Sequence, residues 1–203
     1  MGSKVVGALA FVAASLATAL TAWAVPAATV VRARLACSRG PRDQYYVAAV
    51  TVPSVAPEGS TYTLRIDNVS SGVISHVGLR YIHDMSTDYV LPTGATFVPG
   101  SAHFVAHTGS ANVLPGARVW HEDGVVHVVL PAHVDNGSSY TPPSLELALK
   151  VAAAAGARLS FELVQIRVTA NAFLVGNLET HCDPVPKPLV LGTTLVEPAI
   201  PAQ

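Results

Sequence analysis

Two stretches of this 203-residue chain place an apolar side chain at every second position, and that period constrains the fold more than any other feature. "TYTLRID" sets Tyr62, Leu64 and Ile66 against Thr61, Thr63 and Arg65; "LELALKV" sets Leu145, Leu147, Leu149 and Val151 against Glu146, Ala148 and Lys150. Successive side chains of a strand point to opposite faces, so both stretches read as half-buried strands. "YYVAAVTV", "GVVHVVLP", "ARLSFELVQIRV" and "LVLGTTLV" are apolar enough for deeper burial, and "APEGS", "VPGS", "HEDG" and "DNGSS" between them are turn chemistry. In "RLSFELVQIRV" the apolar phase slips from Leu159, Phe161 and Leu163 to Val164, Ile166 and Val168, which predicts a β-bulge between Leu163 and Val164. "KVAAAAGAR" is the one stretch with helix propensity, and Gly156 leaves it too short to hold alone. There is no internal repeat and no βαβ rhythm. The expectation is an all-β, antiparallel β-sandwich of about seven to nine strands around one core.

The N-terminus speaks to compartment. After "MGSK", the run "VVGALAFVAASLATALTAWA" passes twenty residues without a charge and "VPAATVVRAR" then turns polar and basic, the layout of an export signal. Ala22-Trp23-Ala24 is a small-x-small cleavage pattern, with Pro26 just beyond it to stop a helix. Residues 1–24 therefore read as a signal peptide; an uncleaved membrane anchor is the alternative, since twenty apolar residues can just span a bilayer. Residues 25–36 form an N-terminal segment or first strand, 37–196 the sandwich and 197–203 a flexible Pro-rich tail. Charged residues make up 12% of the chain and the formal net charge is -1. Binding to nucleic acid through phosphate contacts is not expected of such a surface.

Cys37 and Cys182 are the two cysteines of the chain. In an oxidising compartment a lone pair reads as one disulfide, with two free buried thiols as the alternative. Closing so long a loop is worth on the order of 5 kcal/mol in the chain-entropy model, less any native strain. The bond would staple the first strand to one of the last, where an all-β domain frays first.

No motif names a reaction, and no catalytic residue, cofactor or metal site is assigned. The eight histidines are His76, His83, His103, His107, His121, His127, His133 and His181. His103 and His107 have a helical metal-ligand spacing, but "SAHFVAHTGS" reads as strand and turn, where four residues separate the rings by about 13 Å. A nucleophile elbow Gly-x-Ser-x-Gly does not occur. "WHEDG", Trp120 to Gly124, has hairpin-turn composition rather than that of an acid/base pair.

A resemblance runs through several of these stretches. "GSTYTLRIDNVSSG", "LPTGATFVPGSA" and "GSSYTPPSLELALKV" resemble the immunoglobulin-like domains that recur in bacterial surface proteins, and "THCDPVPKPLVLGTTLV" is similar to the Cys-x-Pro-x-Pro ending of single-domain versions exported by actinobacteria. Together they cover most of Cys37 to Val196. The resemblance implies an Ig-like sandwich and an extracytoplasmic location, secreted or in the cell envelope. It implies no catalytic residue.

The chain departs from that pattern at "LRYIHDMSTDYVLP", residues 79–92. After Leu79 the apolar phase is lost, which reads as a long loop at one end of the sandwich. Tyr81, His83 and Tyr89 on it are the candidate interaction surface; a wide crossing whose aromatics merely cover the core edge is the other reading. The function expected is that of a non-catalytic envelope or surface interaction domain, its partner a protein, glycan or lipid, with membrane contact only through an uncleaved N-terminus. A carrier of an envelope lipid or other apolar ligand in a sandwich pocket is the alternative, and metal binding by surface histidines ranks below both. A continuous apolar pocket of about 300 Å³ or more would favour the carrier.

Overall fold

The computed structural model describes residues 26–199, apart from 41–43, 71 and 108. The expected signal segment and residues 200–203 of the tail lie outside the described residues. Fifteen strands follow in order. They are β1 (Ala28–Cys37), β2 (Gln44–Thr51), β3 (Val55–Pro57), β4 (Thr61–Asn68), β5 (Val73–Ile74), β6 (Leu79–Val90), β7 (Ala95–Phe97) and β8 (His103–Val105). After these come β9 (Arg118–Glu122), β10 (Val125–Asp135), β11 (Ser138–Ser139), β12 (Ser144–Val151), β13 (Arg158–Ala172), β14 (Gly176–Val185) and β15 (Leu189–Glu197). The strand count exceeds the seven to nine expected, because short strands occupy stretches that read as loops from sequence.

Thirteen strands belong to one hydrogen-bonded sheet along the path β7-β12-β4-β2-β1-β14-β13-β6-β10-β9, with β8 on β12 and β15 joining β13 to β3. Every pairing is antiparallel except β15 with β3. The sheet folds back on itself and is barrel-like. Its two end strands meet where the Phe97 ring of β7 stacks on the His121 ring of β9 with centroids 5.3 Å apart. On the other side the halves are joined at β1, which pairs with β2 along most of its length and with β14 only from Arg34 to Cys37. β14 and β15 run one after the other along the same edge of β13, linked by a turn holding the cis bonds Val185–Pro186 and Lys187–Pro188.

The core lies between the facing halves. Leu64 and Ile66 of β4 and Leu147 and Leu149 of β12 come from one side; Val126 of β10 and Phe161 and Leu163 of β13 come from the other, all buried. Leu64, Ile66, Leu147, Leu149, Phe161 and Leu163 are positions at which the alternation in the sequence sets apolar side chains on one face. The Leu163/Val164 slip is a bulge: β13 changes register against β6 between Leu163 and Gln165. Asp123 (φ 49°) and Gly124 (φ 79°) make the left-handed pair of a two-residue hairpin between β9 and β10. Residues 152–157 form a turn, with no helix. Gly192 is required for packing, since a Cβ there would lie 2.6 Å from Val52 Cγ1.

The expected disulfide is present. Cys37 and Cys182 are direct neighbours across β1 and β14, their Cα atoms 3.9 Å apart.

The stretch expected as a long loop is strand β6, paired on both sides, with β10 and with β13. Its apolar phase is lost because one residue bulges out of it. Asp84 has φ 53° and no partner in either ladder, and both neighbouring strands change register beside it. Counting along the chain, Tyr81, His83 and Tyr89 share a face. The bulge reverses that.

Candidate interaction surface

Below the bulge, Tyr89 lies opposite Val126 and Leu163, points into the core with 3% exposure and stacks on Phe161 at 5.4 Å. Burial pushes its phenol up to about 12. The Tyr46 hydroxyl lies beside it, also pushed up by burial, and forms no hydrogen bond of normal geometry. Above the bulge, Tyr81 lies opposite Asp135 and Asn171, and His83 opposite His133 and Thr169, all on the outer face. Tyr89 therefore leaves the candidate surface, and the extra residue at Asp84 is the reason.

What remains is an aromatic and histidine cluster. The Tyr81 ring is 4.4 Å from that of His133 and 5.8 Å from that of His83. His83 Nδ1 is 2.9 Å from Asp84 Oδ2, and His133 Nε2 is 3.2 Å from Asp135 Oδ1. His83 Nε2 is enclosed without a protein partner.

This cluster sits on a tongue. Among the described residues, the ladders of the main sheet continue past the Cys37–Cys182 level in β14, β13, β6 and β10, with one further pair from β9, for about 20 Å as far as the Ala172–Gly176 pair. The turn at its tip, Phe173-Leu174-Val175, is exposed, as is Val77 on the turn before β6. The two turns are tied by the Phe173 N–H donating to the Gly78 carbonyl at 3.0 Å, and Arg80 lies over the Phe173 ring at 5.0 Å. Both described ends of the chain leave from the opposite pole: Ala28 pairs with Thr51, and Glu197 continues past Leu195, which pairs with Arg158 at the start of β13. β13 alone spans roughly 45–50 Å from that pole to the tip.

A second cluster contains the residue types of a hydrolase. Ser144 Oγ is 2.9 Å from His107 Nδ1 and donates to Asp67 Oδ1, and Arg65 Nε donates to the same oxygen at 2.7 Å. In a catalytic triad the histidine stands between serine and acid and takes the serine proton. Here the serine stands between the other two and gives its proton to the acid, so His107 Nδ1 must donate to it. Ser144 is also wholly buried. Burial by itself would lift the Asp67 carboxyl, but the bonds from Ser144 and Arg65 outweigh it and hold Asp67 below its ordinary value. The grouping ties β4 and β12 to the chain after β8. Only the fold reveals it, because the three residues are far apart in sequence.

On the outer face of β13, β6, β10 and β9 a polar row crosses four strands. Asp88 accepts from Arg167 and pairs with His127 Nδ1 at 2.8 Å, and His127 stacks on Trp120 at 5.0 Å. His103 is 3.4 Å from Glu146. Among the described residues, no three His, Cys, Asp or Glu side chains come together in a way that could hold a metal ion. Two clefts, of about 350 and 330 Å³, open to solvent at the sheet margins, one by Pro26, Val52 and Gly192 and one at the Phe97–His121 seam.

No protein-family model matches the chain, and no curated protein sequence is similar to it. Among solved structures, the "Putative membrane anchored protein" of Corynebacterium diphtheriae superposes with a TM-score of 0.58 at 15% identity. That alignment covers 85% of this chain and 38% of the other, so this chain spans well under half of the neighbour's length. At such identity the likeness speaks to fold. The sixth cohesin of Acetivibrio cellulolyticus scaffoldin B, solved with a Cel5 dockerin, aligns over 71% of this chain and 94% of its own at 14% identity, with a TM-score of 0.28, too low to carry any argument.

Proposed function

We propose that this chain is a non-catalytic, exported interaction domain of Ig-like sandwich type, displayed in the cell envelope or at the surface, and that it binds through the tongue opposite its termini. The observation that carries the reading is that opposition: both described ends leave one pole, and a projecting piece of sheet with exposed aromatic and apolar side chains forms the other. A domain held by either end presents the tongue to its surroundings. Exposed apolar groups gathered at one place on a folded domain mark interaction sites.

The disulfide supports an oxidising, extracytoplasmic location. The name of the C. diphtheriae neighbour describes that protein as membrane anchored, and we carry a membrane setting over as part of the proposal. Both clefts are open to solvent and lined by polar as well as apolar groups rather than forming a continuous apolar pocket, which favours an interaction module over a carrier. Cleavage after Ala24 belongs to the same proposal, as does the role of Tyr81 and His83 as contact residues.

The test is a binding measurement with envelope fragments. Tyr81→Ala with His83→Ala, both on the outer face, is expected to leave the melting temperature within about 2 °C and to weaken sedimentation with the fragments at least fivefold. Unchanged sedimentation together with unchanged melting would remove these two residues from the binding surface.

A further inference from the structure

The tip of the tongue has features that the aromatic face below it does not share. Leu174 and Val77 are 97% and 96% exposed, and Phe173 and Val175 about two-thirds. These four side chains stand on two turns joined by a backbone hydrogen bond, so they form a convex apolar end rather than the wall of a groove. The two turns, residues 72–80 and 171–178, include no Asp or Glu and one full cation, Arg80, beside the Phe173 ring; the nearest acid is Asp135, on the rung of Tyr81 and Asn171. The other polar side chains of the two turns are Ser75, His76, Asn171 and Asn177.

We infer that the Phe173-Leu174-Val175 turn, with Val77, inserts into a lipid surface, with Arg80 meeting the headgroup phosphates. This rests on the reading of the tongue as the binding end and names what it binds. A partner protein would need a hollow matched to four side chains on two separate turns, whereas the acyl region of a lipid layer accepts any apolar shape to sufficient depth. Charge points the same way: the two apolar turns carry no acid, and Arg80 stands closer to the tip than Asp135 does, where it meets phosphate. Aromatic and aliphatic side chains beside a cation are the composition of interfacial anchors. The tip also has free approach, since both described chain ends leave from the far pole, roughly 45–50 Å away.

The N-terminal apolar run could hold the full chain to vesicles by itself, so the measurement must be local to the tip. Leu174→Trp adds a fluorophore there, read as the difference from the parent chain. Vesicles of phosphatidylcholine and phosphatidylglycerol carrying brominated acyl chains are expected to quench most of that added signal. Phe173→Ser in the Leu174→Trp background should restore it at least threefold at equal protein and lipid. Quenching that follows only the phosphatidylglycerol content would assign the contact to the headgroup and Arg80, still a lipid surface. If the added signal stays unquenched while Phe173→Ser with Leu174→Ser loses binding to lipid-extracted envelope fragments, the partner is not lipid, and the interaction reading survives without this inference. If it stays unquenched and that variant binds the extracted fragments as before, the tip has no part in binding and the inference is overturned.

Discussion

Cys37 and Cys182 stand face to face across β1 and β14, and Ile166 of β13 is the next residue across from Cys182. The bond thus ties β1, the strand that joins the two halves of the sheet, to β14, which in turn pairs with β13. It spans a sequence separation of 145. Replacing both cysteines by serine is expected to cost about 2–5 kcal/mol, the usual loss for a native disulfide. Calorimetry with and without reductant checks this: reductant should lower the melting temperature of the parent and leave the double variant where it is.

The Tyr46–Tyr89 pair predicts an asymmetry between two conservative changes. The Tyr46 hydroxyl is buried without a well-formed hydrogen bond, so Tyr46→Phe removes a desolvated group and should change stability by less than about 1 kcal/mol, in the stabilising direction. Tyr46→Ala opens a cavity in the core and should cost about 3–5 kcal/mol. Denaturant melts of the two variants are the measurement, and equal losses would show that the hydroxyl matters.

Asp67 predicts the acid limb of the stability profile. Its folded-state pKa is depressed, so the unfolded chain takes up this proton first as pH falls. The contribution of the ionised carboxylate is complete above the unfolded-state value of about 3.9 and is lost as pH drops through the lower folded-state value. Asp67→Asn should therefore melt below the parent at pH 7, with the gap closing as pH falls through the depressed folded-state value. A gap independent of pH would mean that the carboxylate charge is irrelevant.

Asp84 holds a left-handed backbone that costs a non-glycine residue about 1–2 kcal/mol. Asp84→Gly should stay within about 1 kcal/mol of the parent, the lost contact with His83 offsetting the relieved strain. Asp84→Val, β-branched in that conformation, should be worse by about 1–3 kcal/mol. Deleting Asp84 would turn Tyr81 and His83 inward; hydrogen exchange is expected to show amides 79–83 losing protection while the ladder of β12 with β4 keeps it.

How much of this can be read from the sequence depends on which face of a strand meets water. β4 and β12 have one face on the core and one in solvent, so their alternation is plain. The bulge near Val164 is visible because apolar residues lie on both sides of the slip. β6 hides for the opposite reason. It lies inside the sheet, its outer face carries polar side chains paired with Arg167 and His127, and the bulge at Asp84 breaks what alternation is left. The Asp67–Ser144–His107 cluster is set by pairing between distant strands and has no local signal. The tip, "NAFLVGN", carries apolar residues where turns are usually polar, so nothing in the stretch marks it as a turn or as the end of a tongue.

The disulfide and the shared pole of the termini together make a mechanical stop. Tension applied between Ala28 and Glu197 would peel β1 from β2 and β15 from β13 from their ends, one hydrogen-bonded rung at a time, and both tears run toward the bond at Cys37 and Cys182. Beyond the rungs peeled from β2, β13 and β3, the load passes through the bond and bypasses the chain between the cysteines. About 500 Å of chain that would otherwise pay out stays folded, and the tongue, which lies beyond the bond, keeps its shape while its tether is under strain.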